Sequence, residues 1–340
     1  MRRLTVSRAA GVPVLVPGPL LGRCATTSVD LALRFPGYPV AMPDGMRLIS
    51  WPFHNGLRGV GMGAGAARLA DDQRLRAALE AASWPVSSDE VDAVDESEAE
   101  IARVMELVRR LAGRVRVAVE EGAFPLVLAG NCNSCLGTVA GIGAEDLGVL
   151  WFDAHADFDD PEENTSGFFD VMGLAMLTGR GWRALRGTIP GHRPIPESDV
   201  ILAGVRDLEP YQRRRLDASE ILTVPGSIEP EPFAEALSEL SSRVSRIYLH
   251  VDLDSLDSSE AKANEYAASG GPSLDRLAQC IRLSCERFTV AAAAITAYDL
   301  ARLAGPHDDG GATDREGDRH RGATLASALV ACSPRVPRGG

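Results

Sequence analysis

Trp151-Phe152-Asp153-Ala154-His155-Ala156-Asp157-Phe158-Asp159-Asp160 is the stretch that decides the fold. The apolar strand expected over Leu147 to Asp153 leads straight into alternating acid, imidazole and acid, the pattern of a buried strand that ends at a chemically active edge. A period of two puts Asp153, His155 and Asp157 on one side of an extended chain. From Asp153 to Glu163 there are six carboxylates and no Lys or Arg. Brought together, such groups repel and raise one another's pKa unless cations neutralise them, and a bound metal is the natural remedy.

Working outward, a second acidic strand end lies at Tyr248-Leu249-His250-Val251-Asp252-Leu253-Asp254-Ser255-Leu256-Asp257, with Asp252 and Asp254 on one face and His250 one step earlier. Further apolar strands are expected at Met46 to Trp51, Phe124 to Ala129, Val200 to Val205, Arg246 to Asp252 and Val290 to Ala297. Amphipathic helices are expected over Arg68 to Ala82, Ser97 to Glu121, Phe233 to Val244 and Leu274 to Arg287. Apolar strands alternating with helices predict one three-layer α/β/α domain around a mainly parallel sheet. In a parallel sheet all strands end at one edge, so both acidic clusters can meet where open α/β folds bind ligands. Carboxylates with an imidazole suit Mn or a similar divalent ion, and bridging carboxylates would allow two. Against this, acids after strands often do no more than cap turns and helices.

The domain is predicted over residues 46–340, with a solvated loop at 305–322 and a last helix near Thr324 to Ala331. Residues 1–45, rich in Pro and Gly without periodicity, read as a loosely ordered extension, and Met46 is an alternative natural start. The chain has 340 residues, 45% of them hydrophobic, and a formal charge of −12, which excludes a disordered protein and argues against a nucleic-acid or membrane-coating role. Six cysteines are too few for a disulfide scaffold, no apolar run is long enough for a membrane span, and Pro13, Pro17 and Pro19 break the one signal-like stretch, so a cytoplasmic protein is expected.

Two local patterns have competing readings. Gly59, Gly61, Gly63 and Gly65 imitate a dinucleotide fingerprint without its spacing, and read as a Gly-rich loop. Cys132-Asn133-Ser134-Cys135 sits between a strand and a helix, as a redox pair would, or as an inert buried thiol pair.

The chain resembles the ureohydrolases, the family of arginase, agmatinase and formiminoglutamase, from roughly Met46 to Asp299. The family's LGGDHS segment is similar to Leu128-Ala129-Gly130-Asn131-Cys132-Asn133, its DAHxD is matched in full by Asp153, His155 and Asp157, and its DxDxxDP by Asp252, Asp254 and Asp257 with Ser258 for Pro. The resemblance implies a dimanganese centre, with Fe or Zn as alternatives. One ion would be held by Cys132, Asp153, Asp157 and Asp252, and the other by Asp153, His155, Asp252 and Asp254. It further implies a bridging hydroxide that Asp157 orients toward an amidine-like carbon, a small-molecule substrate, and a homo-oligomer, trimer or hexamer. Asp159, Asn164 and Ser166 match the loop that holds the amino-acid head group in arginase, and Glu209 matches an acid that contacts the α-amino group.

Three departures from the pattern bear on the chemistry. Cys132 stands at the first metal-ligand His, which softens that ion's surroundings. Asp170 stands at arginase's proton-shuttling His, so proton delivery to the leaving amine passes to Asp170, another group or water. Ala297 stands at the Glu that grips the guanidinium, unless a two-residue register change brings in Asp299. Ordinary arginine is therefore a doubtful substrate, and an N-hydroxyguanidine, a formimino compound or another linear amide-like molecule is preferred. The leading expectation is a metal-dependent hydrolase of linear C–N bonds. The alternative is a catalytically degenerate member that binds or assembles.

Overall fold

Short apolar segments rich in β-branched and aromatic residues give the strands. In chain order they are β1 (Gly45–Trp51), β2 (Phe53–His54), β3 (Leu57–Arg58), β4 (Val86–Glu90), β5 (Ala123–Ala129), β6 (Leu147–Phe152), β7 (Val200–Ala203), β8 (Leu222–Val224), β9 (Arg246–Asp252) and β10 (Thr289–Thr296). The computed structural model describes residues 43–81 and 85–299. The extension before residue 43, the loop at 305–322 and the helix near 324–331 lie outside the described residues. Eight strands form one sheet in the order β4-β1-β5-β10-β9-β6-β7-β8, every neighbouring pair parallel. β2 and β3 form a separate antiparallel hairpin whose turn is Asn55-Gly56, both at positive φ, as a two-residue hairpin turn demands.

Alternation along the strands splits the core in two. Ile49, Trp51, Val127, Ala129, Val149, Trp151 and Tyr248 pack on one face, under helices α3 (Glu100–Glu120) and α4 (Ser134–Ile142). Met46, Leu48, Leu126, Leu128, Leu150, Phe152, Leu249 and Val251 pack on the other, under α2 (Gln73–Ala81), α8 (Pro230–Leu240) and α9 (Leu274–Arg287). This is the three-layer α/β/α arrangement. Among the described residues no helix is long and apolar enough to cross a membrane.

Two local expectations fail. The glycine run does not form a loop: Gly61, Gly63 and Gly65 lie in α1 (Gly61–Ala70). A Cβ on Gly63 would come 2.8 Å from the backbone of Phe53, and one on Gly65 would fall 1.7 Å from the Tyr298 carbonyl oxygen. The glycines therefore let the helix sit directly on the ends of the sheet, a packing reason that overrides poor helix propensity. The helix expected over 68–82 is in fact the tail of α1, a break at Asp71-Asp72, and α2. The break is set by Asp72, whose Oδ1 accepts from the backbone N–H of Arg74 (2.7 Å) and Leu75 (3.2 Å) and so caps α2.

Between β6 and β9 lie three helices that carry little periodicity, α5 (Gly173–Leu177), α6 (Arg183–Arg186) and α7 (Pro210–Asp217). The central strands β5, β10, β9 and β6 bring their C-terminal ends side by side. The acidic segments after β6 and β9 thus meet the Cys132 segment after β5 and Ala297 after β10.

Candidate metal centre

At that edge lies a cavity of about 70 Å³ lined by Cys132, Asp153, His155, Asp157, Asp170, Asp252, Asp254 and Asn264, with Met62, Phe168, Val171, Tyr266 and Ala297 completing its walls. Among the described residues no lysine or arginine lines it. Among the described residues two groups of side chains could hold a metal: Cys132, Asp153 and Asp252 in one, Asp153, His155 and Asp254 in the other, the ligand atoms of each lying within 4.8 Å of one another. Asp153 belongs to both.

The backbone that delivers these groups is bent, which the strict strand reading missed. β6 stops at Phe152, and the Asp153 N–H donates to the Ala203 carbonyl (3.1 Å), which fixes the first acid. Asp157 reaches the cavity at φ 47°, a left-handed conformation that costs energy for a residue with a Cβ. The N–H groups of Leu174 and Ala175, at the start of α5, donate to its carbonyl and hold it there. Leu253 to Ser255 is a single 3-10 turn, and Asp252 Oδ1 accepts from the Asp254 N–H (2.8 Å). The capping role of acids after strands thus falls on a side chain that also belongs to a group able to hold a metal.

Further bonds orient the carboxylates. Trp151 Nε1 donates to Asp153 Oδ2 (2.9 Å), and Asn264 Nδ2 donates to Asp254 Oδ2 (3.0 Å) and the Ala297 carbonyl (3.1 Å). Cys132 Sγ donates to Asp252 Oδ2 (2.9 Å) and lies 3.2 Å from Thr296 Oγ1. His250 is not in either metal-holding group. It is fully buried, stacked on Trp151 with ring centroids 3.6 Å apart, and bonded between the Tyr248 hydroxyl (2.9 Å) and Thr296 Oγ1 (3.3 Å). Burial pushes its pKa down to about 3, so the ring is neutral and serves as scaffold behind the site.

The electrostatics fit divalent cations. Burial raises Asp157 well above the ordinary carboxylate range, with Asp153 and Asp170 adding repulsion, and burial with Asp254 and Asp153 does the same to Asp252. Burial opposes a charged His155, yet Asp254 and Asp153 hold its pKa up to about 12. Asp254, which burial would raise, is brought below its usual range by that His155 charge. One imidazolium thus stands where several carboxylates need positive charge, the imbalance that cations would relieve. Burial first, and the Asp252 charge second, push the Cys132 thiol well up, so it is a protonated donor to Asp252 until a cation displaces that proton. Cys135 is a separate buried thiol that donates to the Gly173 carbonyl (3.6 Å), and both cysteines are free.

A model of the arginase family matches residues 45–330 of this sequence. The chain belongs to the arginase family. It is 36% identical over 176 residues to an arginase of Bacillus caldovelox, a segment that covers 49% of this chain and 58% of that protein. The chain thus spans a little over half the length of the curated relatives it matches. Its fold is similar to that of Bacillus subtilis arginase, with TM-score 0.71 and 22% identity over 84% of this chain and 98% of that one. It is also similar to Bacillus subtilis formimidoylglutamase, with TM-score 0.62 and 17% identity over 87% of this chain and 89% of that one.

Within this arginase-family chain the remaining expected site residues fall into two groups. Asp170 lines the cavity, but both of its oxygens are engaged: Oδ2 accepts from Asn131 Nδ2 (2.6 Å) and the Cys132 N–H (3.0 Å), and Oδ1 from the Asn133 N–H (2.8 Å). Burial outweighs these bonds and lifts its pKa to about 6. Ala297 lines the cavity and Asp299 does not. Asp159, Asn164, Ser166 and Glu209 do not line it either. Asp159 is buried and accepts from Asn164 Nδ2 (2.7 Å), the Tyr211 hydroxyl (2.8 Å) and Gln212 Nε2 (2.9 Å). Asn164 Oδ1 accepts from the Gly167 N–H (2.7 Å) and Ser166 Oγ (3.1 Å), while Glu209 and Gln212 form the capping box of α7.

Arg206 is the residue that sequence reasoning passed over. Its guanidinium donates to the carbonyls of Gly204, Asp254, Ser255, Leu256, Ala268 and Ser269, and so ties the loop after β7 to the loop that carries Asp254. The available signal was a lone arginine directly after a strand that ends at an acidic edge.

Proposed function

We propose that this chain is a metal-dependent hydrolase that cleaves a linear C–N bond in a small guanidino, N-hydroxyguanidino or formimino-type molecule. The observation that carries the reading is the pair of metal-holding groups that share Asp153 inside one cavity at the C-terminal edge of the sheet. Cys132, Asp153, Asp157 and Asp252 would hold one divalent ion, and Asp153, His155, Asp252 and Asp254 the other, with Mn2+ preferred and Fe2+ or Zn2+ as alternatives. When bound, such ions supply charge neutralisation and a water acidified enough to act as nucleophile.

The protein's own groups do the rest. Asp157, buried and held at its strained backbone angle, orients the attacking water and takes its proton. Trp151 and Asn264 keep Asp153 and Asp254 in fixed orientations. Asp170, which lines the cavity, would return a proton to the departing amine. Phe168 and Tyr266 add apolar surface to the cavity wall.

The decisive experiment is metal content plus product release. The full chain, loaded in turn with Mn2+, Fe2+ and Zn2+, should hold about two ions and release urea, ammonia or formamide from one of a panel of guanidino and formimino compounds. Protein that binds no ion at saturating Mn2+, and retains none as isolated, would sink the reading. Two bound ions without turnover of any panel member would favour a degenerate binding protein, the reading to which Ala297 in the cavity wall lends support.

A further inference from the structure

Phe168 comes from the loop after β6 and Tyr266 from the loop after β9, yet their rings stack across the cavity, centroids 6.0 Å apart at 27°. Tyr266 also meets His155 edge-on at 6.3 Å, and Phe168 meets His54 at 6.0 Å. Both rings line the same cavity as the metal-holding groups. Tyr266 is nonetheless 42% exposed, one of the few large apolar side chains left on the surface of the described residues. An aromatic face that is part wall of a cavity and part open to solvent is what an incoming apolar group would cover.

The polar groups expected at the same mouth are already committed. Asp159 spends both oxygens on Asn164, Tyr211 and Gln212, and the Asn164 carbonyl oxygen is taken by Ser166 and Gly167. Among the described residues no lysine or arginine lines the cavity to receive a carboxylate. A carboxylate pressed against Phe168 and Tyr266 would lose water and gain only repulsion from the acids beside His155 and His54, an unfavourable exchange.

We infer that Phe168 and Tyr266 form the specificity wall of this site, and that it takes an amidino or guanidino compound whose non-reacting end is an apolar, aromatic tail rather than an α-amino acid. The inference rests on the hydrolase reading for the reacting end alone. The tail is recognised by stacking and by apolar area removed from water, with the reacting end placed in the small cavity beneath.

The test is calorimetric titration of the metal-loaded full chain with phenethylguanidine and with L-arginine. Phenethylguanidine is expected to bind at least about tenfold more tightly. Phe168→Ala and Tyr266→Ala should each weaken it by about fivefold or more and leave L-arginine unchanged, while Tyr266→Phe, which keeps the ring, should retain it. Equal or tighter binding of L-arginine by the unaltered chain overturns the inference. So does unchanged phenethylguanidine affinity in both alanine variants with their metal content intact. The unaltered chain decides the matter even where a variant fails to fold. Because binding is read without turnover, tail-selective binding with no product release removes the hydrolase reading and keeps this one. Turnover of L-arginine at a kcat/KM above that of phenethylguanidine does the reverse.

Discussion

Cys132 Sγ donates to Asp252 Oδ2 at 2.9 Å, so the thiol after β5 is bonded directly to the carboxylate that ends β9. These two side chains also share a metal-holding group with Asp153. A cation entering there must take the place of the thiol proton, and a thiolate prefers softer ions. The unaltered chain is therefore expected to hold Zn2+ or Cd2+ in that position at least about tenfold more tightly than Cys132→His does. Cd2+ should produce a thiolate absorption band, and Cys132 should be protected from thiol reagents when metal is added. Cys132→His should shift the preference toward Mn2+. Metal binding that is unchanged in both Cys132→His and Cys132→Ala would show that Cys132 is not a ligand. Asp252→Ala should abolish occupancy of the shared group altogether.

Arg206 makes a second prediction. Its six carbonyl acceptors come from three loop segments, and Gly271 lies so close that an added Cβ would sit 2.7 Å from Arg206 Nη2. Lysine offers three donors on a flexible stem and cannot reproduce that fork. Arg206→Ala should cost about 2 kcal/mol or more in denaturant unfolding because six carbonyls, five of them in partly buried bonds, lose their partner. Arg206→Lys should recover only part of it. Since the same loops carry Asp254, metal affinity should fall in both variants.

Asp257 gives a pH prediction. Ser259 donates from its hydroxyl and N–H, and the N–H groups of Gly270 and Gly271 add two more bonds, which together hold the Asp257 carboxyl down to about 2. A folded-state pKa below the unfolded one stabilises the fold at pH above the ordinary carboxylate value, and that stabilisation disappears as pH falls through about 2. Because the side chain is exposed and screened, the contribution should be about 1 kcal/mol or less. Unfolding curves for the unaltered chain and Asp257→Asn should therefore differ at neutral pH and converge on acidification. A difference that grows toward low pH would contradict this assignment.

How legible the molecule was depends on where tertiary contacts overrule local pattern. β9 and α9 have the bounds that their apolar period foretells, because each buries a regular face and α9 carries its own cap at Ser273. The glycine run was misread because helix propensity and spacing carry no record of the Tyr298 carbonyl against which Gly65 packs. The two aspartate clusters were legible as strand ends, whereas the bend at Asp157 and the 3-10 turn after Asp252 depend on neighbours far along the chain. The bonds of Asp159 to Tyr211 and Gln212 had no local signal, because those partners lie some 50 residues away in a helix with little periodicity. The Gly65 contact is itself testable: Gly65→Ala should destabilise by about 3 kcal/mol, the upper range for overpacking against rigid backbone.

Asp170 separates a structural role from a chemical one. It accepts from Asn131 Nδ2 and from the N–H groups of Cys132 and Asn133, and thereby fixes the segment that presents Cys132 to Asp252. Asp170→Ala leaves those buried donors without an acceptor and should cost about 2–4 kcal/mol, with loss of metal affinity. Asp170→Asn retains one carbonyl oxygen and should lose roughly half as much. It cannot donate a carboxyl proton, however, so if Asp170 delivers the proton to the departing amine, turnover per bound cation should fall at least about 100-fold in the Asn variant. Turnover per bound cation that equals that of the unaltered chain would leave Asp170 as a brace alone and assign proton delivery to water.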